Sequence, residues 1–532
     1  MSSTAYSVLS DPLFSVGRAD GTSAQATLPQ ILAELSTGTI GSFEALQAHQ
    51  KQAWYSFLVQ TAAMAVAREG GGDLPETPEA WRELLLALGG GGEEPWCLIV
   101  EDVEQPAFFQ PPVPEGALEE AGFDLDIETP DDLDMLITAK NHDLKRHRIR
   151  RPDPEHWIYA LVTLQTLEGF LGRGNYGIAR MNGGFGNRPL LGVTPDLDWG
   201  SRFRRDVRVL LDERDESTAD RYDGDGHALL WIEPWDGSKD DRIPLRDCDP
   251  YFVEICRRLR FREGDDGELQ CWRTNTKDYR IDGVRDRDGV TGDPWTPIDE
   301  TGPKALTVSG SGFHYERLYD ILFDEEFERP PALEFRGPES EGGYLLAATL
   351  VRGQGETEGL HRRRVPVSEN VSRLFAAGET QREQLGRRAK ERIATTDAVE
   401  RNVLYPSLAA LLQAGQDRDV DYDDVSHWID HFDDAVDEIF FEELWRSFDE
   451  GMSDEEATLD WQETLFELAE QELERAIGSC PMPSILRYRA ISAAKSRFWA
   501  AVREQLPEYA SETFDTDESS TPREESDERA RQ

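Results

Sequence analysis

The sequence lacks the short motifs by which many enzymes can be recognised. Its 532 residues contain no HExxH zinc-protease motif, no GxSxG nucleophile turn and no GxxxxGK[ST] phosphate loop. The nine histidines are scattered, and the many carboxylates offer no single pair that stands out as acid and base. We therefore expect no catalytic residue and no cofactor, and the chain is not expected to be an enzyme.

Cysteine is scarce, and no two of the five cysteines form a CxxC pair. Such a scattered set is typical of reduced thiols in the cytosol. Two incomplete metal sites remain as alternatives: a zinc site from Cys248, Cys256 and Cys271, and the pair His427 and His431, which lie four residues apart on a predicted helix. Because both sets lack ligands, we expect no metal.

Long apolar runs are also missing. No segment has the length of apolar sequence that a membrane-spanning helix needs, and the N-terminus lacks the basic start and apolar core of a signal peptide. The sequence therefore predicts a cytoplasmic protein without a membrane partner.

Lysine is the rarest charged residue, with eight lysines beside 49 arginines, and acidic residues give a net charge of -48. Such a charge disfavours nucleic-acid binding over most of the surface, because phosphates are bound by local positive potential. It is also what a halophilic cytoplasm favours, since excess carboxylates keep a protein hydrated and soluble in strong salt. The informative places are therefore those where basic residues gather.

The length predicts two or three domains, because single cores rarely grow beyond about 250–300 residues. Apolar spacing predicts an α+β fold: a large mixed α/β N-terminal domain over residues 1–366, followed by a C-terminal antiparallel helical bundle over 367–510. Residues 511–532 are polar and charged, which predicts a disordered acidic tail.

Local signals predict individual elements within these domains. The predicted helices run from about Phe43 to Arg68, from Pro78 to Leu88, from Asp153-Pro154 onward, from about Val425 to Phe448, after the Ser453–Glu456 capping box, and over Ser484–Gln505. The predicted strands are Val207–Leu211, Ala228–Ile232, Tyr251–Ile255 and Tyr344–Leu350.

A glycine-rich stretch without any acidic residue runs from Gly169 to Pro195. It contains GxGxxG at Gly172–Gly177, but a dinucleotide fingerprint needs a strand before it and a helix after it, and the flanking pattern supplies neither. Glycine also lets a backbone approach a ligand closely and offers N–H groups to phosphates or base edges. We therefore interpret the stretch as a candidate polyanion contact.

Basic residues surround this stretch. Upstream, residues 140–151 hold six Lys or Arg and one acid, and further arginines lie within the stretch and after it, namely Arg173, Arg180, Arg188, Arg202, Arg204, Arg205 and Arg208. Charge runs are commonly solvated faces that balance acidic neighbours. Three successive basic segments in so acidic a chain nevertheless favour a contact with nucleic acid.

Short motifs resemble those of the CasA family, the large subunits of type I-E CRISPR Cascade complexes. They occur in the family's order along nearly the whole chain: the "RADG" turn within Phe14–Leu32, Pro106-Ala-Phe-Phe-Gln-Pro, Thr163-Leu-Gln-Thr, Gly292-Asp-Pro-Trp-Thr-Pro, and the segment from Arg352 to Arg363. The resemblance implies a non-enzymatic protein that recognises the protospacer-adjacent motif of double-stranded target DNA, aids duplex opening and recruits a helicase-nuclease for antiviral defence. It also implies the guide RNA and the other Cascade subunits as partners.

The resemblance further implies four DNA-binding elements: a flexible loop at about 141–151, a glycine loop, a lysine finger and a glutamine wedge. Carried onto this sequence, the candidate DNA-binding residues are Asn141, His142, Lys145, Arg146, Arg148, Gly172, Arg173, Gly174, Asn175, Gly177, Lys277 and Gln354. Gln354 lies between two glycines, so it can project from a turn into a base step, as minor-groove wedges do. Two alternatives stay open, a protein-only scaffold without DNA contact and an uncharacterised hydrolase.

Overall fold

The computed structural model of the protein describes residues 4–135, 149, 152–183, 186–214, 221–264, 267–353, 356–416 and 418–511. These residues form two compact units, one of residues 4–313 and 324–376 and the other of residues 314–323 and 377–511. The first unit mixes helices with short strands and the second is helical, so the predicted α+β class is confirmed. The predicted tail lies outside the described residues from 512 onward.

The first unit contains eight helices and sixteen short strands, counted over the described residues. The helices are α1 (Leu28–Thr37), α2 (Lys51–Arg68), α3 (Pro78–Leu88), α4 (Pro130–Leu133), α5 (Pro154–Leu167), α6 (Trp199–Glu213), α7 (Val284–Arg287) and, after the α8 of the other unit, α9 (Glu369–Ala376). The strands are β1 (Thr4–Ser7), β2 (Phe14–Arg18), β3 (Ser23–Ala26), β4 (Ile40–Phe43), β5 (Cys97–Val100), β6 (Asp124–Ile127), β7 (Leu190–Thr194), β8 (His227–Leu229), β9 (Cys248–Val253), β10 (Arg258–Glu263), β11 (Leu269–Thr274), β12 (Ile298–Asp299), β13 (Lys304–Ala305), β14 (Phe327–Glu328), β15 (Gly343–Gly353) and β16 (Glu356–Val367).

These strands form small sheets of two or three strands. Two of the sheets, β10–β11–β6 and β16–β15–β7, position the candidate site. In the second of them, β15 pairs with β16 along an antiparallel hairpin, and its first half also pairs with β7. The hairpin is therefore part of a three-stranded sheet at one end and continues beyond β7 as two strands.

Helix α2 lies at the centre of the first unit. Its residues are buried on every side, which is the pattern of a core helix and not of an amphipathic surface helix. The ring of Trp54 lies 5.1 Å from that of Phe14 and 5.1 Å from that of Tyr159, which brings β2 and α5 against the same helix. Such aromatic packing provides a fixed scaffold for the loops that follow α5.

The second unit is built from six helices, counted over its described residues: α8 (Tyr315–Phe323), α10 (Glu379–Ala398), α11 (Tyr405–Gln413), α12 (Ser426–Asp449), α13 (Asp454–Ser479) and α14 (Ser484–Gln505). Phe440 lies at their core, with its ring 4.6 Å from Tyr315 and 5.8 Å from Trp461. Helix α13 begins with the predicted capping box, in which Ser453 Oγ accepts from the backbone N–H of Glu456 at 3.2 Å.

Two predicted elements were wrong. The segment Val207–Leu211, predicted as a strand, lies within α6, because Asp198 caps a helix there and the buried side chains recur at helical spacing. The helix predicted from about Phe43 begins only at Lys51, because Phe43 pairs with Val16 in a sheet. In both places the apolar residues are buried as expected, but by the other type of element.

Candidate nucleic-acid interface

The glycine loop follows α5 and contains two tight backbone turns. Gly172 and Gly174 have φ angles of 100° and 93°, in the region that side chains with a Cβ rarely adopt. The N–H of Leu171 donates to the carbonyl of Asn175 at 3.0 Å, and the N–H of Asn175 donates back to the carbonyl of Gly172 at 3.0 Å. The next described element is the strand β7, so the loop does not open a helix as a dinucleotide-binding loop does.

The loop is held closely by its neighbours. A Cβ on Gly177 would lie 2.5 Å from the carbonyl carbon of Gly169, so only glycine fits there. Arg257 donates to the carbonyl of Gly169 at 3.3 Å and also to the carbonyl of Tyr176. These contacts fix the two ends of the loop and leave its middle at the surface, where Arg173 is exposed.

The segment of Lys277 contacts the glycine loop directly. The N–H of Thr276 donates to the carbonyl of Gly174 at 3.1 Å, and the N–H of Lys277 donates to the carbonyl of Gly237 at 2.7 Å. The side chain of Lys277 is exposed. The structure therefore brings two of the sequence-predicted elements, the glycine loop and the lysine, to one place.

Asn275 is a member of this site that the sequence did not single out. Its Cγ lies 3.0 Å from where a Cβ on Gly174 would be, and its side chain is exposed. It offers both a donor and an acceptor beside the loop. Its position two residues before Lys277 in a polar segment is the only sequence signal that pointed to it.

The hairpin that leads to Gln354 is anchored beside the same loop. Arg352, near the end of β15, donates to the carbonyl of Met135 and lies 3.4 Å from the carboxylate of Glu168, just before the glycine loop. Thr357, across the hairpin, donates to the same Met135 carbonyl at 3.3 Å. Met135 is the last described residue before the predicted basic loop.

Six of the predicted DNA-binding residues lie outside the described residues. They are Gln354, which follows the last residue of β15 in sequence, and five residues of the predicted basic loop, Asn141, His142, Lys145, Arg146 and Arg148. What the structure gives for them is the position of the adjoining chain. Met135 and Gly353 lead into the two segments, and Arg352 joins these two points by its bond to Met135.

A cleft of about 150 Å³ opens between these parts. Acidic and basic side chains both line it, and the acids have partners of their own. Asp134 accepts from His49 at 2.7 Å and from Gln50 at 2.6 Å, and Glu168 faces Arg352. The cleft therefore presents paired carboxylates and several N–H donors, a mixed surface suited to hydrogen-bonding base edges.

One carboxylate close to Lys277 is held in its charged form. Burial alone would raise the pKa of Asp236, but hydrogen bonds from Ser238 and the nearby charges of Arg258 and Lys277 lower it. Arg258 in turn donates to the backbone carbonyl of Asp236 at 3.0 Å. This carboxylate moderates the positive potential at the loop, so the site is not a uniformly basic patch.

The interpretation of the arginines after the glycine loop as a polyanion contact was wrong for three of them. Arg180, Arg188 and Arg205 are only 1%, 3% and 3% exposed. Arg188 Nε donates to the carboxylate of Asp293 at 2.6 Å, and Arg205 pairs with Asp206 at 3.0 Å. The reason is that each is needed to neutralise an acid inside the unit, so none can reach a phosphate.

Two further arginines of that group also have internal roles. Arg202 lies over the ring of Tyr55 at 3.8 Å, and Arg204 donates to the carbonyl of Leu35 at 3.2 Å. Arg173 and Arg208 are exposed. The basic character of the stretch is therefore mostly structural.

Glu254 is a buried acid behind the glycine loop that sequence reasoning missed. It accepts a hydrogen bond from the N–H of Ala179, and its other oxygen has no hydrogen-bond partner. Burial raises its pKa to about 7, although that hydrogen bond and the nearby Arg180 and Arg188 oppose the rise. Nothing in the sequence distinguished this glutamate from the many others, because its burial depends on contacts that are distant along the chain.

The alternative metal sites find no support among the residues that the structure describes, where no group of three metal-binding side chains occurs. Burial raises the pKa of Cys248 to about 12 and that of Cys256 to about 12, which disfavours the thiolates that bind zinc. His431 pairs with Glu472 at 3.0 Å and His427 packs on Trp428. Within the described part of the chain, no helix is both long and apolar enough to cross a bilayer.

Solved structures of CRISPR-associated proteins share this architecture. Cse1 of Thermobifida fusca matches with a TM-score of 0.66 at 14% identity, over 95% of this chain and 99% of its own. Cse1 of Acidimicrobium ferrooxidans matches with a TM-score of 0.64 at 14% identity, over 96% and 99%. CasA of Thermus thermophilus matches with a TM-score of 0.59 at 14% identity, over 94% and 100%.

Comparison of sequences alone does not identify a family, because no family model and no curated protein matches the chain. At 14% identity, a structural match is evidence of the fold and of nothing more specific. The resemblance inferred from short motifs is thus confirmed at the level of the fold: the chain has the fold of the Cse1/CasA proteins over nearly its whole length.

Proposed function

We propose that the chain is the large subunit of a type I-E Cascade surveillance complex and that it recognises a protospacer-adjacent motif in double-stranded target DNA. The observation that carries this proposal is the meeting of separate elements at one cleft. The glycine loop bonds to the Lys277 segment through Gly174 and Thr276, and Arg352 ties the Gln354 hairpin to Met135. A basic surface patch formed by chance would not require these separate elements to contact one another.

The geometry suits the minor groove. That groove displays a degenerate set of acceptors, so a reader there needs close backbone approach and a few donors. A glycine turn with left-handed residues at Gly172 and Gly174 permits the approach, while Asn275 and Lys277 supply donors beside it. Gln354, which follows β15 in sequence, would enter the base stack and open the duplex.

The proposed partners are the guide RNA, the double-stranded target, the other Cascade subunits and the helicase-nuclease that the opened complex recruits. The proposed place of action is the cytoplasm, and no catalytic role is assigned to the chain. The acidic surface as an adaptation to salt also remains a prediction, so binding is best compared at several KCl concentrations.

The test compares duplex targets with targets that carry a pre-opened bubble, each with and without the correct motif, in the assembled complex. Gln354→Ala should slow opening of the duplex and leave binding to the bubble nearly intact, because unstacking costs a few kcal/mol per step only when the strands are still paired. Equal losses on both targets would contradict a wedge.

A second variant tests the glycine loop with a matched control. Gly172→Asp places a negative charge in the glycine loop, next to Leu171, which lines the cleft, and a Cβ there meets no atom within 4 Å. Gly21→Asp is the control, since Gly21 also has a left-handed φ, of 85°, and open space. Only Gly172→Asp should abolish discrimination of the motif. If neither variant does, the protein-only scaffold becomes the better description.

A further inference from the structure

A second cleft, of about 230 Å³, lies elsewhere in the first unit. It is formed by the start of α2, the start of α6 and one face of the β16–β15–β7 sheet. Ala348 of β15 pairs with Leu190 on one side and with Arg362 on the other, so these three residues lie side by side across the sheet. Lys51, the first residue of α2, stands at the rim.

Three cations and no carboxylate line this cleft, in a chain whose net charge is -48. Lys51 and Arg362 are exposed, and neither has an ion-pair partner within the described ranges. Arg202 packs over Tyr55 and not against an acid. The N-terminal end of α2 adds its own positive potential at Lys51.

The two acids that flank Leu197 have hydrogen-bond partners of their own. Asp196 accepts from the backbone N–H of Leu197 at 2.6 Å, and Asp198 caps α6 by accepting from Ser201 at 2.7 Å. Lys51 and Arg362 face solvent. Exposed cations without partners, gathered in one concave place, are unexpected in a chain with almost twice as many acids as bases.

The other residues that line the cleft are apolar except Gln52, whose side-chain oxygen has no hydrogen-bond partner among the described residues. Trp199 and Leu197 line the wall, and Leu197 is 38% exposed. Gln52 is buried, at 7% exposure; its amide donates to the carbonyl of Arg188, while its oxygen Oε1 has no hydrogen-bond partner. A buried acceptor of this kind is costly unless a ligand supplies a donor.

We propose that this cleft binds one nucleotide of a single-stranded nucleic acid. The phosphate lies between Lys51 and Arg362, the base packs against Trp199, and an N–H group of the base, such as N3–H of thymine, donates to Gln52 Oε1. A phosphate fits the cations because it offers several acceptor oxygens at once. Stacking of bases on aromatic side chains is the usual sequence-tolerant mode of single-strand binding.

The size and place of the cleft agree with this occupant. Its volume lies below the roughly 300–1,000 Å³ of sites for drug-sized ligands, so it holds no more than one nucleotide, with part of that nucleotide outside the cleft. Arg362 and Ala348 lie on the β15–β16 hairpin, which also carries Arg352 of the first cleft, and this gives a strand leaving the first cleft a path along the same element. The inference does not depend on recognition of a motif.

The experiment measures binding of a 5′-phosphorylated, 3′-fluorescein-labelled trithymidylate to the full-length chain by anisotropy in 0.3 M KCl. Lys51→Ala and Arg362→Ala should each weaken binding about fivefold, the cost of one charge-assisted contact. Leu197→Glu should weaken it more than either, because it places a carboxylate at the exposed wall. Thermal unfolding of each variant should match that of the unmodified chain.

The matched control is Arg364→Ala. Arg364 is exposed on the same face of β16, two pairs along from Arg362, but does not line the cleft. Its loss should change binding less than twofold. Replacing one thymine by 5-iodouracil should give a photocrosslink to Trp199 by mass spectrometry.

Three results would overturn the proposal. They are no binding of the trithymidylate, an equal loss for Arg364→Ala, or stronger binding of an acidic hexapeptide containing one phenylalanine, which would assign the cleft to a protein partner. Because the probe is neither duplex nor motif-bearing, these results are independent of the test of the proposed function.

Discussion

Two groups of cations in the first unit look alike in the sequence and differ completely in the structure. Arg180 and Arg188, behind the glycine loop, are 1% and 3% exposed and face Asp293. Lys277, in front of the loop, is exposed, and its backbone N–H donates to the carbonyl of Gly237. The buried group should determine whether the loop keeps its shape, and the exposed one what the loop recognises.

The difference also shows why counting charges misleads in an acidic chain. An arginine surrounded by carboxylates along the sequence can be the one that neutralises an acid in the core, and buried ion pairs are costly to break on one side. Position relative to the glycine loop did not separate the two groups. Their separation appears only when partners distant along the chain, such as Asp293 for Arg188, are brought together.

The largest expected effect comes from breaking the buried group. Arg188→Met should lower the free energy of unfolding by about 3–5 kcal/mol, because the fully buried Asp293 then keeps the N–H of Trp295 but has no cation nearer than Arg180, at 4.0 Å, among the described residues. Denaturant unfolding measures it. Arg246→Met is the control, since Arg246 is 68% exposed and lies 3.8 Å from Asp223, and it should change stability by less than about 0.5 kcal/mol. Similar losses for both would mean that burial is unimportant.

Local signals predicted several elements of the fold well. Helix α14 was predicted with its observed bounds, and α13 begins at the predicted Ser453 capping box, because caps and helical spacing are encoded within a few residues. The segment Val207–Leu211 was wrong because a five-residue apolar run fits a strand and a buried helix equally well.

The candidate site was predictable only in part. The absence of acids drew attention to the glycine loop, and the resemblance pointed to Lys277, yet no short-range pattern places Thr276 against Gly174. The contact between Arg352 and Met135 joins residues 217 positions apart. The burial of Glu254 depends in the same way on packing that no local pattern encodes.

The next expected effect is a pH dependence of folding stability that comes from Glu254, a buried acid behind the glycine loop. The pKa of Glu254 is raised to about 7 in the folded chain from an ordinary 4.5, so the unfolded chain loses this proton first as pH rises. Stability should therefore fall between about pH 4.5 and 7 through this group, by roughly 1–3 kcal/mol. Glu254→Gln, which keeps an acceptor for Ala179, should flatten that part of the stability curve.

Asp236, whose pKa is shifted in the opposite direction to that of Glu254, provides a control for general effects of acid on stability. The pKa of Asp236 is lowered in the folded chain, so its contribution is present above its unfolded pKa and lost as pH falls through the folded value. Asp236→Asn should therefore flatten the acidic limb and leave the neutral range unchanged. A Glu254→Gln profile parallel to that of the unmodified chain would show that this glutamate is ionised in the fold.

The smallest expected effect belongs to the exposed group, and it tests recognition and not stability. Lys277→Ala should leave unfolding unchanged, because its backbone bond to Gly237 remains. It should weaken binding of duplex with the correct motif about fivefold, as one lost charge-assisted contact does. Lys239→Ala removes an exposed lysine of the same unit and should have little effect on either target.

Comparing duplexes with the correct and the wrong motif identifies the DNA group that Lys277 contacts. If its ammonium donates to a base edge, the loss should vanish on duplex with the wrong motif, because the partner acceptor is no longer in place. If it contacts a phosphate, the loss should be the same on both duplexes, and the slope of log affinity against log salt should become shallower by about one. The second outcome would place Lys277 with the general polyanion contacts and leave motif reading to Asn275 and the glycine loop.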